Sequence, residues 1–212
     1  MVSEPRHKCL VYEGHPTQQL PVLAAEIKKN LALNYRCLYL NSPAMVKGMQ
    51  FFLATIGVDV AGRIAKGSLV LSSEPAVSAD GRFDVDQMIH KLEDVLDQAL
   101  KDGHKGLFAT GDMTWEFAAK ENFAKLLKYE GALEKLFQRR PELNGICQYH
   151  SDTLSREVMR QGLLSHPAIF INETLSRINQ HYIESDRQAE TSSENPDLDG
   201  VLAKLTGGQA IE

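Results

Sequence analysis

The chain has 212 residues, 43% of them hydrophobic and 24% charged, with a formal net charge of −5 and a pI near 5.8. These are ordinary globular values, enough for one α/β domain with a full core plus a tail. They leave no electrostatic footprint for direct nucleic-acid binding, and no apolar run is long enough to span a bilayer. The first residues, MVSEPRHK, lack the apolar stretch of a signal peptide. Three cysteines, all inside apolar runs, suit a reducing compartment better than a disulfide scaffold. The expectation is therefore a cytoplasmic protein.

In chain order, CLVY at 9–12 reads as a strand, and Pro16-Thr17 opens a helix with Leu20, Leu23, Ala24, Ile27 and Leu31 at helical spacing. Asn34 ends that helix, and 36–41 is a second strand. Ser42-Pro43 is an N-cap followed by a first-turn proline, starting a helix through about Ile56 that Gly57 closes. A short helix at about 59–65 precedes a short strand at 68–72, and 73–83 reads as a loop. Asp84 to Lys101 is strongly amphipathic, with Met88, Leu92, Val95 and Leu96 on its stripe, and Gly103 stops it. A buried strand begins at Gly106, and a long helix runs over about 117–138. A strand at 144–149, a helix at 155–164 capped by Ser155, and a last strand at 166–171 complete the series. Strands alternate with helices throughout, which predicts a mainly parallel sheet covered on both faces. From about Glu184 the sequence turns polar and acidic, giving a domain over 1–183 and a flexible tail over 184–212.

Strand, loop, helix and strand over 9–40 form the first unit of a nucleotide-binding α/β domain, but the loop lacks its phosphate-binding residues. A working loop needs G-x-x-x-x-G-K-[ST], so that backbone amides and a lysine hold phosphate and a hydroxyl holds Mg²⁺. Here there is one glycine, Gly14, and no lysine before Lys28. Asp112 stands where a Mg²⁺-binding acid would follow a strand, and Glu116 where a catalytic base would. Without the lysine and the hydroxyl, ATP is not expected as a cofactor and no residue is nominated as catalytic.

Ligands of open α/β sheets bind beyond the carboxyl ends of the strands. The residues placed there are Tyr12, Glu13, His15, Asn41, Thr110, Asp112, Thr114, Trp115, Gln148, Tyr149 and His150. Cys9, Cys37 and Cys147 lie within strands, with Cys9 and Cys147 expected on adjacent ones. No CxxC or His/Cys spacing marks a metal centre, so packing is the reading for the cysteines and hydrogen bonding for His7 and His166.

Taken together, HKCLVYEG at 7–14, RCLYLN at 36–41, GRFD at 81–84, GDMTWE at 111–116, LLKYEGALEKLF at 126–137 and ICQYH at 146–150 resemble the MEDS family. This is the sensory domain named for methanogens, methylotrophs and the regulator DcmR. The resemblance covers roughly 7–172 and implies a three-layer α/β/α, RecA/KaiC-like fold with a degenerate phosphate loop. By position, His7, Cys9, Tyr12, Glu13, Asp112, Trp115, Tyr129, Glu130, Cys147 and Tyr149 fall on the family's motifs, which makes them the ligand-binding candidates. The resemblance further implies a non-catalytic sensor of a small, apolar or hydrocarbon-derived ligand.

The sequence shows no helix-turn-helix or kinase segment, so signalling is expected through a regulatory partner, a kinase or a transcription factor. Two alternatives stand beside this reading. One is a degenerate ATPase that still binds nucleotide. The other is a homodimeric interaction scaffold whose helix at 117–138 supplies contacts through Tyr129 and Phe137.

Overall fold

The computed structural model of the chain describes residues 5–74, 84–114, 123–172, 175–179 and Tyr182. Seven strands are present among them: β1 (His7–Tyr12), β2 (Arg36–Leu40), β3 (Leu69–Ser72), β4 (Leu107–Asp112), β5 (Leu143–His150), β6 (Ala168–Asn172) and β7 (Leu175–Ile178). They form one sheet in the order β3-β2-β4-β5-β1-β6-β7. Every pairing is parallel except that of β6 with β7. Parallel neighbours need crossovers, and helices supply them: α1 (Leu20–Ala32), α2 (Pro43–Thr55), α3 (Val60–Ala65), α4 (Val85–Lys101), α5 (Phe123–Arg139) and α6 (Arg156–Ser165).

The helix boundaries follow local chemistry. Ser42, Asp59, Asp84 and Ser155 each accept a hydrogen bond from an amide three residues on, satisfying an otherwise orphaned first-turn donor. Asn34 takes φ 68° just past α1, and Gly57 takes φ 83° just past α2. That left-handed conformation releases the last helical carbonyls, and asparagine and glycine reach it at least cost.

The two faces of the sheet carry two cores. Leu10, Cys37, Tyr39, Phe108 and Ile146 face α1 and α2. Cys9, Leu107, Leu143, Cys147 and Tyr149 face α4, α5 and α6. The alternation along each strand produces this division, since successive side chains point to opposite faces.

Several sequence expectations need correction. The strand at 166–171 is not the last, because Leu175–Ile178 returns antiparallel to it at the sheet edge. Gln148, Tyr149 and His150 do not follow β5 but belong to it. Tyr129 and Phe137, read as contacts of a dimer-forming helix, are each only 4% exposed and pack into the core. The start of the helix placed at 117, most of the loop placed at 73–83, and the tail from 184 lie outside the described residues.

Candidate functional site

The sequence-predicted site residues separate into two groups on opposite faces of the sheet. Tyr12 and Asp112 lie on the α1/α2 face, at the carboxyl ends of their strands. His7, Cys9, Cys147 and Tyr149 lie on the other face, where Tyr129 and Glu130 of α5 meet them. Glu13 is exposed in the loop after β1, and Trp115 lies outside the described residues.

On the first face, β5 lies between β1 and β4, yet the Tyr12 hydroxyl donates to Asp112 Oδ2 at 2.8 Å across it. Asn41 Nδ2 reaches the same oxygen at 3.4 Å, and the Thr114 amide donates to Oδ1 at 2.8 Å. Asp112, 4% exposed, thus has both oxygens occupied by neutral donors of the chain itself. Burial, then the neighbouring Asp112 carboxylate, push the Tyr12 phenol well above its usual range, so it remains a proton donor. Beside it, Gln148 Nε2 donates to Thr110 Oγ1 at 2.9 Å, and Thr110 donates on to the Ile146 carbonyl at 2.7 Å.

The loop after β1 shows how the phosphate position has been filled. Gly14 adopts φ 74° and its amide donates to Asp152 Oδ2 at 2.7 Å. Its carbonyl contacts His150 Nε2 at 2.7 Å, and the His150 ring stacks on Tyr12 with centroids 4.8 Å apart. A backbone amide that would serve a phosphate in a working loop is therefore taken by a carboxylate. Any incoming phosphate would meet that negative charge with no lysine to offset it.

The second face holds a polar cluster inside the core. Cys9 and Cys147 are register partners on β1 and β5, and His7 stands opposite Gly145. A Cβ on Gly145 would lie 2.8 Å from the Phe137 ring, so glycine there leaves the space in which Phe137 stacks on His7 with centroids 4.4 Å apart. His7 Nδ1 meets Glu134 Oε2 at 2.7 Å, while its Nε2 lies 3.5 Å from Cys147 Sγ and 3.7 Å from Glu130 Oε2. His166 Nδ1 meets the Gly162 carbonyl at 2.6 Å, and its Nε2 lies 3.5 Å from Glu130 Oε2. Tyr149 donates to Glu130 Oε1.

Burial holds the Glu130 carboxyl above the ordinary carboxylate range. Burial and then the nearby His7 keep His166 well below the usual imidazole range, hence neutral. Burial also raises Glu134, but hydrogen bonds from His7, Tyr182 and Gln138 outweigh it and hold that carboxyl low. Burial, with Glu130 close by, pushes the Cys9 thiol up and makes it a poor nucleophile.

An apolar cleft adjoins this cluster. It is narrow, with an internal volume of about 30 Å³, and lies between β4, β5, α4 and α5. Ala109, Met113, Leu92 and Leu133 line its apolar walls, and Tyr129 and Cys147 border it. A second, more polar cleft, with Lys8, Glu26, Lys29 and Asn30, lies at the opposite end of the strands.

His166 and Glu134 were not among the sequence candidates, and Asn41 was noted only for its position. A usable signal existed for the acids. Glu130 and Glu134 fall on the same helical stripe as Leu126, Leu133 and Phe137, where a solvated acid would be out of place.

An open α/β sheet flanked by helices, with its phosphate loop replaced by side-chain contacts, defines a RecA/KaiC-like domain. Consistent with this fold, the structure is similar to the flagellar accessory protein FlaH from Methanocaldococcus jannaschii. The TM-score is 0.53 at 14% sequence identity, covering 85% of this chain and 81% of that one. At that identity the likeness establishes the fold alone. The family model for the MEthanogen/methylotroph, DcmR Sensory domain matches residues 6–167, and the chain belongs to this MEDS family. Its role is accordingly sensory and regulatory. No curated protein matches the chain. Among the described residues, no helix is long and apolar enough to cross a membrane.

Proposed function

We propose that the protein is a non-catalytic cytoplasmic sensor that binds a small, largely apolar ligand and signals through a regulatory partner protein. The observation that carries this reading is the apolar cleft beside Cys147 and Tyr129, set against the blocked phosphate position. A lining of aliphatic and aromatic side chains, with a few polar groups at one end, suits a small organic ligand, and at about 30 Å³ the cleft must widen to admit one. Here Leu92, Ala109, Met113 and Leu133 are the apolar wall, and the His7–Glu130–Tyr149 cluster stands next to it.

Against nucleotide binding stand three features: Asp152 on the Gly14 amide, Tyr12 and Asn41 on Asp112, and the lack of a lysine in the loop. Mg²⁺ retention needs carboxylate oxygens free to coordinate, and those of Asp112 are already engaged. A partner would have accessible apolar surface to read on α2, where Phe51 is 67% exposed. A kinase or transcription factor is the expected recipient of the signal.

The test is binding of short-chain hydrocarbon derivatives, followed by titration calorimetry, to the natural chain and to Ala109→Leu. The larger side chain at position 109 fills the cleft from the sheet side. Loss of binding in that variant, with the fold intact, is the expected result. Equal affinity in both proteins would place the ligand elsewhere and remove the support for this cleft.

A further inference from the structure

Four potential ligand atoms converge in the core. His7 Nε2, Glu130 Oε2, Cys147 Sγ and His166 Nε2 all lie within 4.8 Å of one another, and all four residues are buried. His166 Nδ1 sits on a carbonyl, which only an N–H can satisfy, so the neutral ring presents a bare lone pair at Nε2. That Nε2 has no hydrogen-bond partner, and neither has Glu130 Oε2, although the two residues are 0% and 1% exposed. A buried carboxyl oxygen and a buried imidazole nitrogen left 3.5 Å apart without a hydrogen bond are costly unless something bridges them.

We propose that His7, Glu130, Cys147 and His166 bind one divalent cation of the zinc class. Zinc bonds of about 2.0–2.3 Å place tetrahedral ligand atoms roughly 3.3–3.8 Å apart. Three of the pairs already fall in that range, at 3.5, 3.5 and 3.7 Å. The mixed N, S and O set excludes the hard cations Mg²⁺ and Ca²⁺, which take oxygen.

Charge also balances. A thiolate and a carboxylate neutralise the dication, and two neutral imidazoles complete a shell that is uncharged overall, as a buried site requires. The outer contacts are those of a metal centre: Glu134 orients His7, the Gly162 carbonyl orients His166, and Tyr149 holds the other oxygen of Glu130. The ligands come from β1, α5, β5 and the segment joining α6 to β6, so the cation ties four elements together. Binding displaces to solvent the Cys147 thiol proton together with the proton held by the Glu130 carboxyl in its protonated form.

The test starts with the purified full chain. Elemental analysis should give close to one equivalent of zinc-class metal per chain. After chelation, added Co²⁺ should give tetrahedral visible absorption and a near-ultraviolet thiolate-to-cobalt band. Cys147→Ser should lose that band, and Glu134→Gln should weaken affinity about 10- to 100-fold. Cys37→Ser, on the opposite face of the sheet, should change neither. X-ray absorption of the cobalt form of the natural chain, showing one sulfur among nitrogen and oxygen ligands, carries the assignment even where Cys147→Ser fails to fold. Trace metal with no cobalt band, or a band that survives in a folded Cys147→Ser, would overturn the proposal.

Discussion

Tyr12 and Asp112 show how one phenol can change what a scaffold does. The acid at the end of β4 stands where a metal-binding carboxylate belongs, but Tyr12, Asn41 and the Thr114 amide hold both its oxygens. This makes the pair a clasp between β1 and β4 rather than an ion site. Tyr12→Phe should therefore destabilise the fold by about 1–3 kcal/mol, the range for a lost hydrogen bond to a buried acceptor. Urea unfolding at constant m-value reads this directly. A change near zero would mean that the hydroxyl contributes nothing to the clasp. Gly14 is the second such residue. Its amide, fixed by φ 74°, serves Asp152, so the loop has an internal anion in place of an external one.

At the scale of elements, α6 is shaped around Tyr149. A Cβ on Gly162 would lie 2.5 Å from the Tyr149 ring, and that ring is 1% exposed with nowhere to move. Gly162→Ala should cost about 1–3 kcal/mol through overpacking, despite alanine's better helix propensity. A stabilised variant in thermal melts would show that α6 can shift away from β5. The cap of α2 is a milder case: Ser42→Ala should cost about 1 kcal/mol, and a melt unchanged within error would show that the Met45 amide finds water instead.

These elements were legible because caps, stops and periodicity are local. Ser42, Asp84, Ser155, Asn34 and Gly57 stand in the sequence where the structure uses them. The strand at Leu175–Ile178 was not legible, since four residues at a sheet edge carry too little pattern to distinguish them from a loop. The site was half legible. Position after a strand marks Tyr12 and Asp112, yet the strand alternation that sends Tyr12 and Cys9 to opposite faces splits what motif proximity had merged. The convergence of His7 with His166 depends on β1 and β6 pairing, which no linear spacing encodes.

The whole molecule keeps the layered sheet of a RecA/KaiC-like domain with different contents on its two faces. The α1/α2 face, where phosphate chemistry would sit, is closed by the chain's own carboxylates and phenol. The α4/α5/α6 face holds an apolar cleft next to a dense polar cluster. The proposed sensor rests on this division, with its ligand site placed on the opposite side of the sheet from the nucleotide position. In this chain the layered fold persists without the glycine-and-lysine phosphate loop.

The measurement that tests this division most directly is a thermal-melt series of the full chain against ATP·Mg²⁺, ADP and short-chain hydrocarbon derivatives at matched millimolar concentration. A ligand at a hundred times its Kd adds about 2.7 kcal/mol, or roughly 5–10 °C for a domain of this size. Stabilisation by an apolar compound, with none from either nucleotide, is the expected result. Stabilisation by ATP·Mg²⁺, abolished in Asp112→Ala, would contradict it and return the protein to the nucleotide-binding class.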